Sequence, residues 1–192
     1  MNWYMTSFGQ GAAYVGELLH MAETFAEQHP SVPAVLGVTP MGLTRADWWG
    51  VTNFKAKWLR DTYAVHGSRM LWIDADARVG GLIRPPEDCM IAANTYARLS
   101  SGVVWFGDGC GPLLDRWVEE TKRSADDEEA LIAAVAALRV DVAPLPDGLS
   151  AICDEGIPAS IIHWNRSRAM AGHAAAQVIN WPPSEEERRC IR

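Results

Sequence analysis

Hydrophobic and polar positions fall into blocks whose period changes along the chain. Trp3 to Thr6 is an apolar run of strand length, and Phe8-Gly9-Gln10-Gly11 reads as a turn before a helix. That helix sets Tyr14, Leu18, Met21 and Phe25 on one face and stops before Pro30, because a residue ahead of proline is driven out of the helical region. Val32 to Val38 is valine-rich and barely alternates, the pattern of a strand buried on both faces. From Thr52 to about His66 the period is helical again, with Phe54, Trp58 and Tyr63 as the core stripe and Gly67 as the stop. Met70 to Ile73 is wholly apolar and predicts another buried strand.

Strand, helix, strand, helix, strand implies an α/β fold: a mostly parallel sheet with crossover helices, whose carboxyl edge is where ligands bind. The second half is less regular. Met90 to Asn94 and Val103 to Phe106 are strand candidates, Leu113, Leu114, Trp117 and Val118 mark a helix, and Glu128 to Leu138 is another, with Ser124, Asp126 and Asp127 as possible caps. Val140 to Leu145 and Ser160 to Trp164 read as strands and Ser167 to Gln177 as a last helix. The expected organisation is a single domain over residues 1–180 and a polar tail over 181–192.

Composition narrows the class. The four cysteines, Cys89, Cys110, Cys153 and Cys190, have no zinc-like spacing and read as free thiols, the first three as buried filler. The amino terminus lacks the pattern of a signal peptide, and the longest apolar stretch, Ala130 to Leu138, is too short for a membrane span, so a cytoplasmic protein is expected, in the host cytoplasm if phage-encoded. With 17 basic against 24 acidic residues the net charge of −7 argues against a general polyanion binder, although Arg45, Arg60, Arg69, Arg78, Arg84 and Arg98 could form a local patch.

The most informative chemistry is in "LWIDADARV", where an apolar strand ends in two carboxylates. If the strand breaks into a turn there, Asp74 and Asp76 can face one point and suit a hard divalent cation, Mg²⁺ or Mn²⁺. An Asp at a strand end also commonly closes a turn or caps a helix, so the spacing alone leaves both readings open. A rigid, buried strand is nevertheless where a preorganised site belongs.

In sequence order, "VTNFKAKWLRD", "LWIDADARV", "LSSGVVWFGDG", "DDEEALIAAV", "APLPDGLSAICDE" and "SIIHWNRSR" resemble the successive motifs of the GT-A-fold glycosyltransferases, the DxD-containing nucleotide-diphospho-sugar transferases, over about residues 3–170. The likeness is to small bacterial or phage members. It implies a GT-A, Rossmann-like fold and transfer of a sugar, hexosyl or pentosyl, from a nucleotide-sugar donor, a UDP-sugar foremost, to an acceptor hydroxyl.

By this resemblance Asp74, Asp76 and His163 would hold Mn²⁺ or Mg²⁺; Thr6, Lys55, Asp74, Ser101 and Arg166 would bind the donor; and Asp127 and Glu128 would be the catalytic candidates. A metal site that uses His163 should weaken as pH falls through roughly 6.5, since only neutral imidazole ligates. Each residue has a plainer role beside the functional one. His163 could be a core histidine, Lys55 a solvated helix lysine, Arg166 surface charge, and Asp127 and Glu128 first-turn helix residues. The acceptor candidates are a hydroxylated base in phage DNA, a saccharide, a lipid-linked sugar or a protein side chain. Two other classes compete: a metal-dependent nucleotidyltransferase or phosphohydrolase, and a non-catalytic sugar-nucleotide-binding module.

Overall fold

The computed structural model describes residues 3–39, 45–67, 69–95, 99–124, 126–152 and 159–163. Strand β1 (Tyr4–Gln10) runs directly into helix α1 (Gly11–Gln28), followed by β2 (Ala34–Thr39), α2 (Arg45–His66), β3 (Met70–Ile73) and β4 (Ala77–Val79). Then come β5 (Ile91–Ala93), β6 (Val103–Phe106), α3 (Gly111–Glu120), α4 (Asp127–Leu138), β7 (Ala143–Pro144), β8 (Ser150–Ile152) and β9 (Ile161–His163). Six strands form the main sheet in the order β2-β1-β3-β6-β5-β7, and β4, β9 and β8 form a second sheet of three.

In the main sheet β1 pairs in parallel with both β2 and β3, as the alternation of elements requires, and β6 alone runs against the others. Alternate residues of each central strand enter opposite cores, because a strand has a side-chain period of two. Met70 and Trp72 join Leu59, Leu113, Trp117 and Leu131 beneath α2, α3 and α4. Leu71 and Ile73 join Met5, Leu18, Met21 and Phe25 beneath α1. The sheet is thus covered on both faces, which is why β3 carries no polar residue.

Several expectations change. Gly9 and Gln10 belong to β1 and Gly11 opens α1, so there is no turn at Phe8–Gly11. Gly9 is required by close approach: a Cβ there would lie 2.7 Å from the Tyr14 carbonyl oxygen. Strand β2 is an edge rather than a doubly buried strand, with Leu36 and Val38 exposed on one side; sheet position overrides valine content. Of the α2 residues from 54 to 66, Lys55, Ala56, Leu59 and Thr62 are deeply buried, while Phe54, Trp58 and Tyr63 pack from the margin. Between Val140 and Leu145 only Ala143–Pro144 is strand, and β4 and β8 are strands with no expected counterpart. Gly67 ends α2 with φ +84°, as a left-handed stop should.

The expected helix from Ser167 to Gln177, the tail, Arg166, Cys153 and Cys190 lie outside the described residues. Cys89 and Cys110 are free, half-buried and buried respectively.

Candidate active site

Asp74 and Asp76 stand where the chain leaves one sheet for the other. The Asp74 amide donates to the Gly102 carbonyl at 2.8 Å, the last bond on the β6 side, and the Ala77 amide closes a turn onto the Asp74 carbonyl at 3.0 Å. Beyond that turn the chain becomes β4, paired antiparallel with β9, with Ala77 opposite His163. The strand does break between the two carboxylates. Asp76 is buried and Asp74 is partly exposed.

Beside them lies a buried ammonium. Lys55, from the core face of α2, sits 3.0 Å from Asp74 Oδ1 and 2.8 Å from Asp127 Oδ2, and donates to the Ser101 carbonyl and hydroxyl oxygens at 3.2 Å each. The Ser101 hydroxyl donates to Asp127 Oδ2 at 2.7 Å. Burial alone would lower the lysine pKa; Asp127 first and then Asp74 outweigh it, so the group lies above the ordinary lysine range and stays charged. The expectation of a solvated helix lysine does not hold: its side chain is 8% exposed. Lys57, by contrast, is exposed and pairs with Asp61 on its own helix.

Two tryptophans complete the arrangement; neither is singled out for the site by the sequence, where Trp117 serves only to mark its helix. The Trp72 indole N–H donates to Asp74 Oδ1 at 2.7 Å, and its ring lies 5.2 Å from Lys55 Nζ in a cation–π contact. The available signal was spacing, since residues two apart on a strand share a face. The Trp117 N–H donates to the Asp127 carbonyl at 2.8 Å, tying α3 to the first turn of α4. Asp126 is the actual N-cap of α4, accepting from the Glu129 amide at 2.8 Å. Its neighbour Asp127 is thereby free of capping and turns inward to Lys55.

Of the other expected site residues, Thr6 is wholly buried: its hydroxyl donates to the Val35 carbonyl at 3.0 Å and accepts from the Trp58 indole at 2.9 Å. Glu128 is buried next to Asp127. The structure therefore gathers Lys55, Asp74, Ser101 and Asp127 into one contact network. Asp76 follows across the turn, the His163 backbone lies alongside it on β9, and Thr6 serves the joint between β1, β2 and α2. Among the described residues, no cluster of three metal-ligating side chains forms.

The surrounding charge is acidic. The Lys55 ammonium lies between two carboxylates, Asp74 and Asp127. Arg78 is buried on Glu17 of α1, Arg69 pairs with Asp108 at 2.9 Å and Arg60 with Asp61 at 2.7 Å, so these three expected members of a basic patch are each matched by a carboxylate. A cavity of about 340 Å³ bordered by Arg69, Asp88, Cys89, Trp105 and Asp108 lies at the opposite, amino end of β3, away from the carboxylates.

No family model matches the chain, and no curated protein matches it. Solved structures do. A glycosyltransferase involved in the glycosylation of the major capsid of PBCV-1 superposes with a TM-score of 0.64 at 10% identity, covering 88% of this chain and 100% of that one. The chain has the GT-A glycosyltransferase fold. The glycosyltransferase GlyE of Streptococcus pneumoniae TIGR4 matches in its apo form with a TM-score of 0.62 at 11% identity, over 96% of this chain and 66% of that one. A second GlyE structure gives 0.61 at 12%, over 94% of this chain. The chain spans about two-thirds of the length of GlyE, or 63% in that second structure. In this GT-A fold the acidic turn after β3 sits at the carboxyl edge of the parallel strands, where open α/β sheets bind ligands. No helix among the described residues is long and apolar enough to cross a membrane.

Proposed function

We propose that this chain is a metal-dependent glycosyltransferase, moving a sugar from a nucleotide-diphosphate donor to an acceptor hydroxyl. One observation carries the reading: a buried strand delivers Asp74 to the sheet edge, and a buried lysine holds it against Asp127 from another helix. An ion pair of this kind is costly to bury and is better explained by positioning than by stability.

The residues suit a hard divalent cation, because the donors are carboxylate oxygens. Asp74 and Asp76 would hold Mg²⁺ or Mn²⁺, with His163 as the third ligand; its backbone lies opposite Ala77, next to Asp76. When bound, such an ion neutralises the diphosphate that departs with the nucleotide. The chain's own residues supply orientation. Lys55 and Trp72 both donate to Asp74 Oδ1, which fixes the carboxylate before any ligand arrives. Lys55 is therefore a positioning residue in this reading rather than a phosphate contact, and Ser101 acts beside it. Asp127 faces Lys55 and accepts from Ser101, and Glu128, the next residue of α4, is buried beside it; one of these two carboxylates would take the proton from the acceptor.

The donor is proposed as a UDP-sugar. For the acceptor, a hydroxyl on a saccharide or a protein side chain is favoured over a base in DNA, because Arg60, Arg69 and Arg78 are each paired with acids and the net charge is −7. The neighbour that acts in capsid glycosylation supports the same choice. A thermal-unfolding panel of UDP-, GDP- and ADP-sugars, with and without Mn²⁺, tests the proposal. A ligand at one hundred times its dissociation constant stabilises by about 2.7 kcal/mol, so the UDP-sugar with Mn²⁺ should raise the transition clearly. If every nucleotide leaves it unmoved in the presence of metal, the reading is wrong.

A further inference from the structure

The segment that follows the carboxylates is fastened to α1 and to His29, the residue just past its end. Arg78 donates to Glu17, the Val79 amide donates to Thr24 Oγ1 at 3.1 Å, and the Ile83 amide donates to His29 Nε2 at 2.9 Å. On its other side the Gly80 amide donates to the Ser160 carbonyl at 2.9 Å, and the Ser160 hydroxyl donates to the Leu82 carbonyl at 3.1 Å. Residues 78–83 thus bridge α1 and β9 immediately after the Asp74–Asp76 turn. His29 differs from Thr24 as a fastener: an imidazole nitrogen accepts a hydrogen bond only while it is unprotonated.

We propose that His29 is an acid-sensitive latch, whose neutral ring holds residues 81–83 against α1 and whose protonation releases them. The ring is 8% exposed, stacked on Phe25 at 5.0 Å and edge-on to Trp3 at 5.6 Å. With Nε2 accepting from Ile83, the proton sits on Nδ1, and the ring also bonds to the Gly81 backbone. A second proton would set two N–H donors against each other where one hydrogen bond now lies. Among the described residues packed on the ring, Trp3, Phe25, Gly81 and Ile83, none is charged. In sequence, Glu27 precedes His29 by two residues and Arg84 follows Ile83. Burial moves that pKa below the ordinary value, opposed by the Gly81 bond. The latch is therefore complete above about pH 6.5 and is lost as pH falls from there through the folded value.

Hydrogen exchange of the full chain tests this without reference to catalysis. Protection of the amides in 80–84, corrected for the intrinsic pH dependence, should fall several-fold between about pH 7.5 and about pH 5, while the amides of β3 keep theirs. His29→Gln, whose side-chain oxygen accepts a bond without titrating, should flatten the profile, and His29→Leu should lower protection at both pH values. Constant wild-type protection, an equal fall in His29→Gln, or a parallel fall in β3 would each overturn the latch; should the variants not fold, the wild-type profile alone decides.

Discussion

Lys55 Nζ lies 3.0 Å from Asp74 Oδ1 and 2.8 Å from Asp127 Oδ2, so one buried ammonium joins the end of β3 to the start of α4. Removing it would leave the buried Asp127 facing the partly exposed Asp74 with no cation between them. Breaking a buried ion pair from one side typically costs about 3–5 kcal/mol. Lys55→Met is expected to lose stability in that range, read as a lower urea midpoint at unchanged slope. A loss under about 1 kcal/mol would show that the carboxylates are compensated elsewhere.

Asp74 and Asp76 should separate folding from turnover. In Asp74→Ala the lysine keeps Asp127, so the fold is retained, and in Asp76→Ala the turn loses a side chain but keeps the backbone bond from Ala77 to Asp74. Both variants are expected to unfold cooperatively and, on the proposed function, to lower Mn²⁺-dependent sugar-nucleotide hydrolysis by at least about a hundredfold, the scale for removing a principal electrostatic element. Wild-type rates in either variant would remove the carboxylates from the mechanism.

Trp58 lies across β2 with no room to spare. A Cβ at Gly37 would sit 2.7 Å from its ring, and the indole is anchored by its bond to Thr6. Gly37→Ala therefore forces overpacking between α2 and the sheet, at a cost of about 1–3 kcal/mol. Thermal unfolding should show the shift, accompanied by a change in tryptophan fluorescence.

Cys110 is fully buried, and that burial pushes its thiol up to about 12. At pH 8 almost none is thiolate, the form that reacts. Alkylation followed by peptide mapping should leave Cys110 unmodified in the native protein and label it in urea. Labelling without denaturant would mean that α3 opens readily.

The local pattern made β3 legible with its limits intact: four apolar residues ending in charge suit a short strand between two covered faces. The parallel joining of β1, β2 and β3 followed from chain order, because two parallel strands require a crossover. The carboxylates were legible for the same reason, since polarity appears where the strand leaves the core. Valine content misled at β2, because the number of buried faces depends on which elements cover the sheet there, and Leu36 and Val38 are left exposed on one face.

Lys55 shows most plainly what the chain order withheld. By itself it is one helix lysine among two; its burial depends on Asp74, Ser101 and Asp127, which come from three separate segments. Trp72 and the Arg78–Glu17 pair are of the same kind. The sequence by itself determined the layering of the sheet and the two acids at its edge, because hydrophobic periodicity is a local property. Only the tertiary structure decided which charge meets which, because electrostatic pairing in a dry interior depends on distances through space and not along the chain.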